Sequence, residues 1–357
     1  MAVKKIALLT GGGDCPGLNP AIRGAVLQAL SYGWECVGML DGWKGMIEGN
    51  CRPLTAADVE EIVGKGGTIL GTSRTNPYKK EGGQQKVMET FKKLNLDALI
   101  AMGGEDTLGV ANKLHKDFKA NVVGVPKTMD NDLSATDYTF GFDTSATVAV
   151  DAVERLRDTG RSHKRIMVLE VMGRHAGWVA LFTGIAGGAD YVCLPERPVD
   201  VKDMLAKLKA AHKRKGVAVV VASEAVEIPG EKKDEKLDEF GHMILKDRGV
   251  AERLTEIIEK ETGIETRSAV IGHIQRGGPP TLFDRMLGTR VGVKAAQLVH
   301  EGKFGQMAAL KGDAVVGVPL QEAVGALKTV DKDWLKFLDT LLGATSGAPA
   351  KETANAR

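Results

Sequence analysis

The sequence has no paired cysteines, no excess of one charge and no long apolar run, and each absence removes a class of protein. Its four cysteines, Cys15, Cys36, Cys51 and Cys193, include no CxxC pair, so neither a zinc knuckle nor a redox motif is indicated and they read as reduced thiols. The 48 basic residues nearly balance the 46 acidic ones, leaving no global basic field to recruit nucleic acid or an anionic membrane. The apolar stretch in MAVKKIALLTGGGD is too short for a signal h-region or a membrane span. The expectation is a cytoplasmic protein that acts on a small molecule, with no nucleic-acid or membrane partner.

Glycine is what the chain has in plenty: 44 of 357 residues, about 12% against a typical ~7%. Tight turns and close backbone approaches follow, which suit a phosphate-handling α/β enzyme but also any turn-rich fold. The length allows about two domains. Short apolar runs at Ile6–Leu9, Ala98–Met102, Val122–Val125, Ile166–Val171, Val217–Ala222 and Ala269–Ile274 alternate with helical stretches, which predicts parallel, doubly covered sheets. After the first of them, Ala21, Ile22, Ala25, Val26, Ala29 and Leu30 share one helical face, with Pro16 and Pro20 near its start. The nine residues Glu231–Glu239 carry eight charges and read as a solvated excursion, and the small polar tail from residue 344 to 357 reads as ill-ordered.

In a doubly wound sheet, ligands sit at the carboxyl ends of the strands. Here those ends carry GGGD, GGED, PKTMDND, MGRHAG, ASE and GHIQRGG. Gly11-Gly12-Gly13-Asp14 opens a helix, so backbone N–H groups can face a phosphate, although the same residues also make a simple tight turn. The spacing matches neither GxxxxGK[ST] nor GxGxxG. Pro126-Lys127-Thr128-Met129-Asp130-Asn131-Asp132 gathers a cation, a hydroxyl and two carboxylates, which suffice to position and stabilise a phosphoryl transfer; the bland reading is an Asx-turn beside a solvated lysine. Arg165, Arg174, Arg267 and Arg276 lie at or just beyond strand ends, either as structural ion pairs or as forks for an anionic sugar phosphate.

Taken in order, GGGDCPGLNPAIRG, GGTILGTSRTNP, GGEDT, PKTMDNDL, EVMGRHAGW, ASE and GHIQRGG resemble the 6-phosphofructokinase family over roughly residues 4–330. The resemblance implies two doubly wound α/β domains of phosphofructokinase type with the active site in the cleft between them. Residues 1–141 and 276–328 would bind the phosphoryl donor and residues 142–275 and 329–343 the sugar phosphate. It implies that Asp130 is the base acting on the sugar 1-hydroxyl, flanked by Thr128, Met129 and Asp132, and that Arg174 stabilises the transferring group. Met172, Gly173, Glu224, His273, Ile274, Gln275 and Arg276 would contact the sugar phosphate from the same subunit. Arg165 and Arg267 would reach across an interface, so a homodimer or homotetramer is implied. Gly12, Gly13, Arg74, Gly104, Asp106, Thr107 and Lys127 would contact the donor, and Glu105, where many relatives have aspartate, would hold Mg²⁺.

Two positions speak to the donor. ATP-using relatives typically have glycine where Asp106 stands, leaving room for the nucleotide α-phosphate, and often glycine where Lys127 stands. A carboxylate at the first repels a third phosphate, and a lysine at the second neutralises a short donor. The family resemblance therefore implies pyrophosphate and fructose 6-phosphate as substrates. The rivals are an ATP-dependent enzyme of the same fold, an NAD-kinase-like GGDG enzyme, and a non-catalytic metabolite-binding regulator; the last two do not account for the whole motif set or for the retained Asp130. Leu27 replaces the second effector-site arginine, four residues beyond Arg23, and Asp190 replaces a regulatory glutamate, so little control by ADP or phosphoenolpyruvate is expected. The charged stretch near residues 230–250 is longer than in compact ATP-using relatives.

Overall fold

The computed structural model describes residues 3–228 and 249–346. The charged segment 231–239 and tail residues 347–357 lie outside the described residues. The chain divides into two units, Met1–Ser145 with Arg276–Lys328, and Ala146–Gln275 with Thr329–Arg357.

In chain order the strands are β1 (Lys5–Thr10), β2 (Glu35–Met39), β3 (Cys51–Leu54), β4 (Ala98–Gly103), β5 (Val122–Pro126), β6 (Ile166–Val171), β7 (Tyr191–Cys193), β8 (Ala218–Ser223), β9 (Thr266–Val270), β10 (Gln306–Lys311) and β11 (Ala314–Pro319). The first unit holds a seven-stranded sheet ordered β11-β10-β5-β4-β1-β2-β3. Its five inner strands are parallel, and β3 and β11 pair antiparallel at the edges. From β1 the chain runs outward to β2 and β3, then returns to lay β4 and β5 on the other side, so strand order reverses between β1 and β4. That switch point is where the carboxyl-end loops part and leave room for a ligand.

The second unit has a four-stranded parallel sheet, β7-β8-β6-β9, whose order reverses between β6 and β9. Every residue of β4, β5 and β8 is buried, as a strand covered on both faces requires, and hence their unbroken apolar runs. The expected strand Ala269–Ile274 is displaced. β9 runs Thr266–Val270, and Gly272, in the left-handed region at φ 45°, turns the chain into a 3₁₀ turn, Gly272–Arg276. Its last apolar residue, Ile274, is 68% exposed and belongs to no strand.

In the first unit, helix Leu18–Ser31 packs closely against helix Leu282–His300. Two glycines permit the approach: a Cβ on Gly24 would stand 2.4 Å from the Thr289 carbonyl oxygen, and one on Gly292 would stand 2.2 Å from that of Ala21. This pairing joins the helix that follows the Gly11-Gly12-Gly13 turn to the helix that follows Arg276. Because the clashing atoms are backbone, neither helix can relieve the overlap by a rotamer change. Gly292→Val is therefore expected to destabilise the protein by about 1–3 kcal/mol, seen as a lower thermal midpoint. Gly109→Ala, on a helix position with open space, is expected to be neutral or slightly stabilising. Equal midpoints for the two variants would contradict the close-packing account.

Candidate active site

In the first unit three strand ends converge. After β1, Gly11 N donates to the Met102 carbonyl (3.0 Å) at the end of β4, and Gly12 N donates to Ser73 O (3.1 Å). Thr72 Oγ1 donates to Gly12 O at 2.5 Å, so the segment carrying exposed Arg74 lies along the glycine turn. Gly12 has φ 78°, and a Cβ there would stand 3.5 Å from the Lys127 ammonium and 3.8 Å from Thr107 Oγ1. A Cβ on Gly13 would stand 2.5 Å from Arg276 Nη1, which itself donates to Asp14 O at 3.0 Å. The turn thus lies under two cations and a hydroxyl, with its glycines keeping that approach open.

Lys127 follows β5. The residue is 4% exposed; its backbone N–H donates to Gly103 O (3.1 Å) and its ammonium donates to Gly13 O (2.5 Å). Burial lowers its pKa, with Arg276 adding to the effect, while Cys15, Asp130 and Asp14 oppose it. Thr128 Oγ1 accepts from Asp130 N (3.1 Å), and Thr128 O accepts from Thr139 Oγ1 (2.7 Å). Met129 buries its side chain in the core. Burial, the Asp130 charge and, more weakly, Glu105 push the Asp132 carboxyl up to about 7.

Glu105 and Asp106 are the first two residues of helix Glu105–Phe118, which Gly104 caps after β4, and Thr107 is buried beside them. Carboxylates are favoured at a helix N-terminus by its dipole, and they occupy with their own charge the end that would otherwise welcome an anion. Among the described residues no group of three or more His, Cys, Asp or Glu side chains could hold a metal by itself. Burial is the larger cause of the raised Asp132 pKa, and the Asp130 charge and, more weakly, Glu105 add to it, so Asp132 lies in a locally acidic loop. Glu105, at the helix start, could supply one carboxylate to a Mg²⁺ ion, which commonly takes one or two and fills its sphere with water and phosphate oxygens.

In the second unit, Met172 N donates to Gln275 Oε1 (2.8 Å) across the β6/β9 switch point. Gly173, at φ 148°, donates to Glu224 Oε1 (3.2 Å) and accepts from Ser223 Oγ (2.8 Å). Half-buried Arg174 follows directly, while His273 and Ile274 are exposed on the 3₁₀ turn whose Gln275 is buried. Arg165 and Arg267 are not with this group. They lie at the amino ends of β6 and β9, roughly 16 Å away along a strand of this length. There both bond the same Glu265 oxygen, Arg165 at 2.8 Å, and Glu259 stands 3.9 Å from Arg267. Asp190 is buried, accepting from Val219 N (3.0 Å) and pairing with Lys215 (2.6 Å).

Sequence reading gave no role to Ser73, Thr139 or Asn131, which tie the loops in place; their partners lie 8 to 197 residues away. A glycine turn under a buried lysine, with a carboxylate pair on the adjoining loop, is chemically able to hold a phosphate and take a proton from a nearby hydroxyl.

These features define an α/β protein with a phosphate-handling switch point. The chain belongs to the phosphofructokinase family, whose model, described as "Phosphofructokinase", matches residues 5–299. It is 51% identical to the pyrophosphate–fructose 6-phosphate 1-phosphotransferase of Dictyoglomus thermophilum, over 95% of this chain and 99% of that one. It is 46% identical to ATP-dependent 6-phosphofructokinase 2 of Streptomyces coelicolor, over 92% and 97%. Among solved structures, the phosphofructokinase of Pichia pastoris matches with TM-score 0.79 and 30% identity over 97% of this chain, which spans 37% of the Pichia chain. The fold is shared with a pyrophosphate-dependent phosphofructokinase from Nitrosospira multiformis, at TM-score 0.82 and 21% identity over 96% of this chain and 91% of that one. Among the described residues no helix is long and apolar enough to cross a membrane.

The raised Asp132 pKa has a direct check. A carboxyl that keeps its proton to about pH 7 in the folded protein favours folding below its unfolded value near 4, and that contribution is lost as pH rises toward 7. Carbon-13 NMR of labelled aspartate carboxyls is expected to show one titration near pH 7 that Asp132→Asn removes and Asp130→Asn moves to lower pH. A midpoint near 4 for Asp132 would contradict the burial and repulsion described here.

Proposed function

We propose that this chain is a phosphotransferase that moves a phosphoryl group from pyrophosphate to the 1-hydroxyl of fructose 6-phosphate, giving fructose 1,6-bisphosphate and orthophosphate. The observation that carries the reading is the buried Lys127 ammonium seated on the Gly13 carbonyl, on the loop that also bears Asp130. Four curated relatives at 49–51% identity carry the pyrophosphate-dependent name, which supports it.

In the proposed mechanism Asp130 accepts the proton of the sugar 1-hydroxyl, O1 attacks the terminal phosphorus in line, and the bridging P–O bond breaks to release orthophosphate. Thr128 and Asp132 shape the base, Lys127 and Arg174 offset the charge on the transferring group, and the turn N–H groups of Gly12, Gly13 and Gly104, with Thr107 and Arg74, receive the donor. Mg²⁺, when bound, supplies further neutralisation of the phosphates, held by Glu105 together with water and phosphate oxygens. The first unit is assigned to the donor and the second to the sugar phosphate, contacted by Met172, Gly173, Glu224, His273, Ile274 and Gln275; Arg276, a residue of the first unit, is assigned to the sugar phosphate as well. Orthophosphate leaves from a bond whose energy is close to that of the bond formed, so the reaction runs in both directions.

Arg165 and Arg267, held together by Glu265 at the far edge of their own sheet, are assigned to a neighbouring subunit's sugar phosphate, so the active species is a homodimer or homotetramer. The charge of both substrates keeps them from crossing a bilayer, which supports a cytoplasmic location for the enzyme. With Asp190 held by Lys215 and Val219, control by ADP or phosphoenolpyruvate is expected to be weak.

A second reading, ATP as donor, is kept alive by the ATP-dependent relatives at 44–46% identity. Asp106 and Lys127 separate the two. Steady-state kinetics of wild type, Asp106→Gly, Lys127→Gly and the double variant with each donor is the test. Asp106→Gly is expected to lower the KM for ATP, and Lys127→Gly to damage pyrophosphate turnover; the double variant is expected to shift preference by more than the single changes imply. If Asp106→Gly leaves ATP unused and pyrophosphate turnover untouched, Asp106 is not the donor filter.

A further inference from the structure

The loop that carries Asp130 has a backbone that does not hold itself. Asn131 at φ 54° and Ala135 at φ 60° both sit in the left-handed region, which costs L-residues roughly 1–2 kcal/mol each. Asn131 tolerates it better than alanine and uses its buried side-chain oxygen to accept from Thr139 N at 3.2 Å. A loop with two such residues keeps its shape only if it is tied from outside.

The tie comes from the far end of the same unit. Leu327 pairs with Leu133 in an isolated antiparallel bridge, Lys328 N donates to Asp132 O (2.8 Å), and Ser134 Oγ donates to Ala326 O (2.6 Å). The Lys328 side chain then turns into the loop. Its ammonium donates to Asn131 Oδ1 (3.0 Å), Thr136 O (3.1 Å) and Asp137 O (2.8 Å). Those three bonds go to uncharged acceptors that span seven residues of the loop. A lysine with no function in shape would be expected to extend its head into water instead.

We propose that Lys328 is a positioning residue for the reaction, holding the loop of residues 130–137 so that the Asp130 carboxylate is aimed at the hydroxyl it deprotonates. The proposal rests on the reading of Asp130 as the base. It leads from Lys328 through Asn131, the next residue after Asp130, and through the Lys328 N–H to the Asp132 carbonyl, so the base is bracketed on its C-terminal side by two contacts to one residue. The charges facing the ammonium are Asp137 and Asp132, which hold its proton on, and Lys311, which opposes them; burial is the larger influence and pushes it down to about 8. Below that pH all three donors are present.

The test is a set of variants assayed with pyrophosphate and fructose 6-phosphate, with circular dichroism as a check on folding. Lys328→Met removes all three side-chain bonds, and Asn131→Gly removes one acceptor while keeping the left-handed backbone. Displacing a catalytic group by about 1 Å costs roughly 10²-fold, so kcat is expected to fall about 10- to 100-fold in Lys328→Met and less in Asn131→Gly, with the KM for fructose 6-phosphate within about 3-fold of wild type. If Lys328 acts through Asp130, then Lys328→Met in an Asp130→Asn background is expected to cost less than about 3-fold more. The proposal is overturned if both folded variants keep kcat within about 2-fold of wild type, or if Lys328→Met lowers Asp130→Asn by the same factor as wild type. Should Lys328→Met not fold, Asn131→Gly and its own cycle with Asp130→Asn decide by the same criteria. Undiminished turnover in Asp130→Asn alone would overturn the base reading and this proposal with it, whereas silent Lys328 and Asn131 variants beside an inactive Asp130→Asn overturn this proposal only.

Discussion

Burying an ammonium is costly unless its donors are met, and the first unit is arranged around one that is buried. Lys127 is buried and its ammonium rests on the Gly13 carbonyl, while the Lys127 backbone N–H bonds the Gly103 carbonyl. One residue after β5 therefore fixes the loops that leave β1 and β4. Gly12 can be no larger without meeting strain, since its φ of 78° already lies where side chains are disfavoured. The glycine-rich turn, the cation and the carboxylate loop are positioned together because each supplies what another lacks.

The same economy explains how a donor can be chosen by charge alone. Helix Glu105–Phe118 begins with two carboxylates that its dipole stabilises. An anion approaching that helix end meets negative charge first, whereas one lying over Gly12 and Gly13 meets Lys127 and Arg276. A short donor can satisfy the second region without entering the first, and a donor with a longer phosphate chain has to do both. That is the physical content of the proposed preference for pyrophosphate.

Much of the architecture was legible in the sequence because strands covered on both faces need unbroken apolar runs. β1, β4, β5 and β8 show them, and β6 does up to Glu170. The edges were not legible. CRPL in β3 carries an arginine and a proline, and AVVGVP in β11 is only half-buried, so neither has a pattern that local reading can separate from loop. The misplaced last strand has the same cause: Val270 and Ile274 are exposed apolar residues, and the apolar run around them reflects surface rather than sheet. For the candidate site, contiguous residues such as Lys127, Thr128 and Asp130 stood out together. Ties between distant segments did not; Lys328 is 197 residues from Asn131, and no local pattern announces a contact of that span.

The proposed donor, pyrophosphate, is open to direct measurement. The most direct measurement is the turnover of the purified wild-type protein with fructose 6-phosphate and Mg²⁺, comparing pyrophosphate with ATP at matched concentrations and following fructose 1,6-bisphosphate. The account predicts turnover with pyrophosphate and a kcat/KM for ATP lower by about 100-fold or more, equivalent to roughly 2.7 kcal/mol of discrimination. Equal use of the two donors, or a preference for ATP, would contradict it.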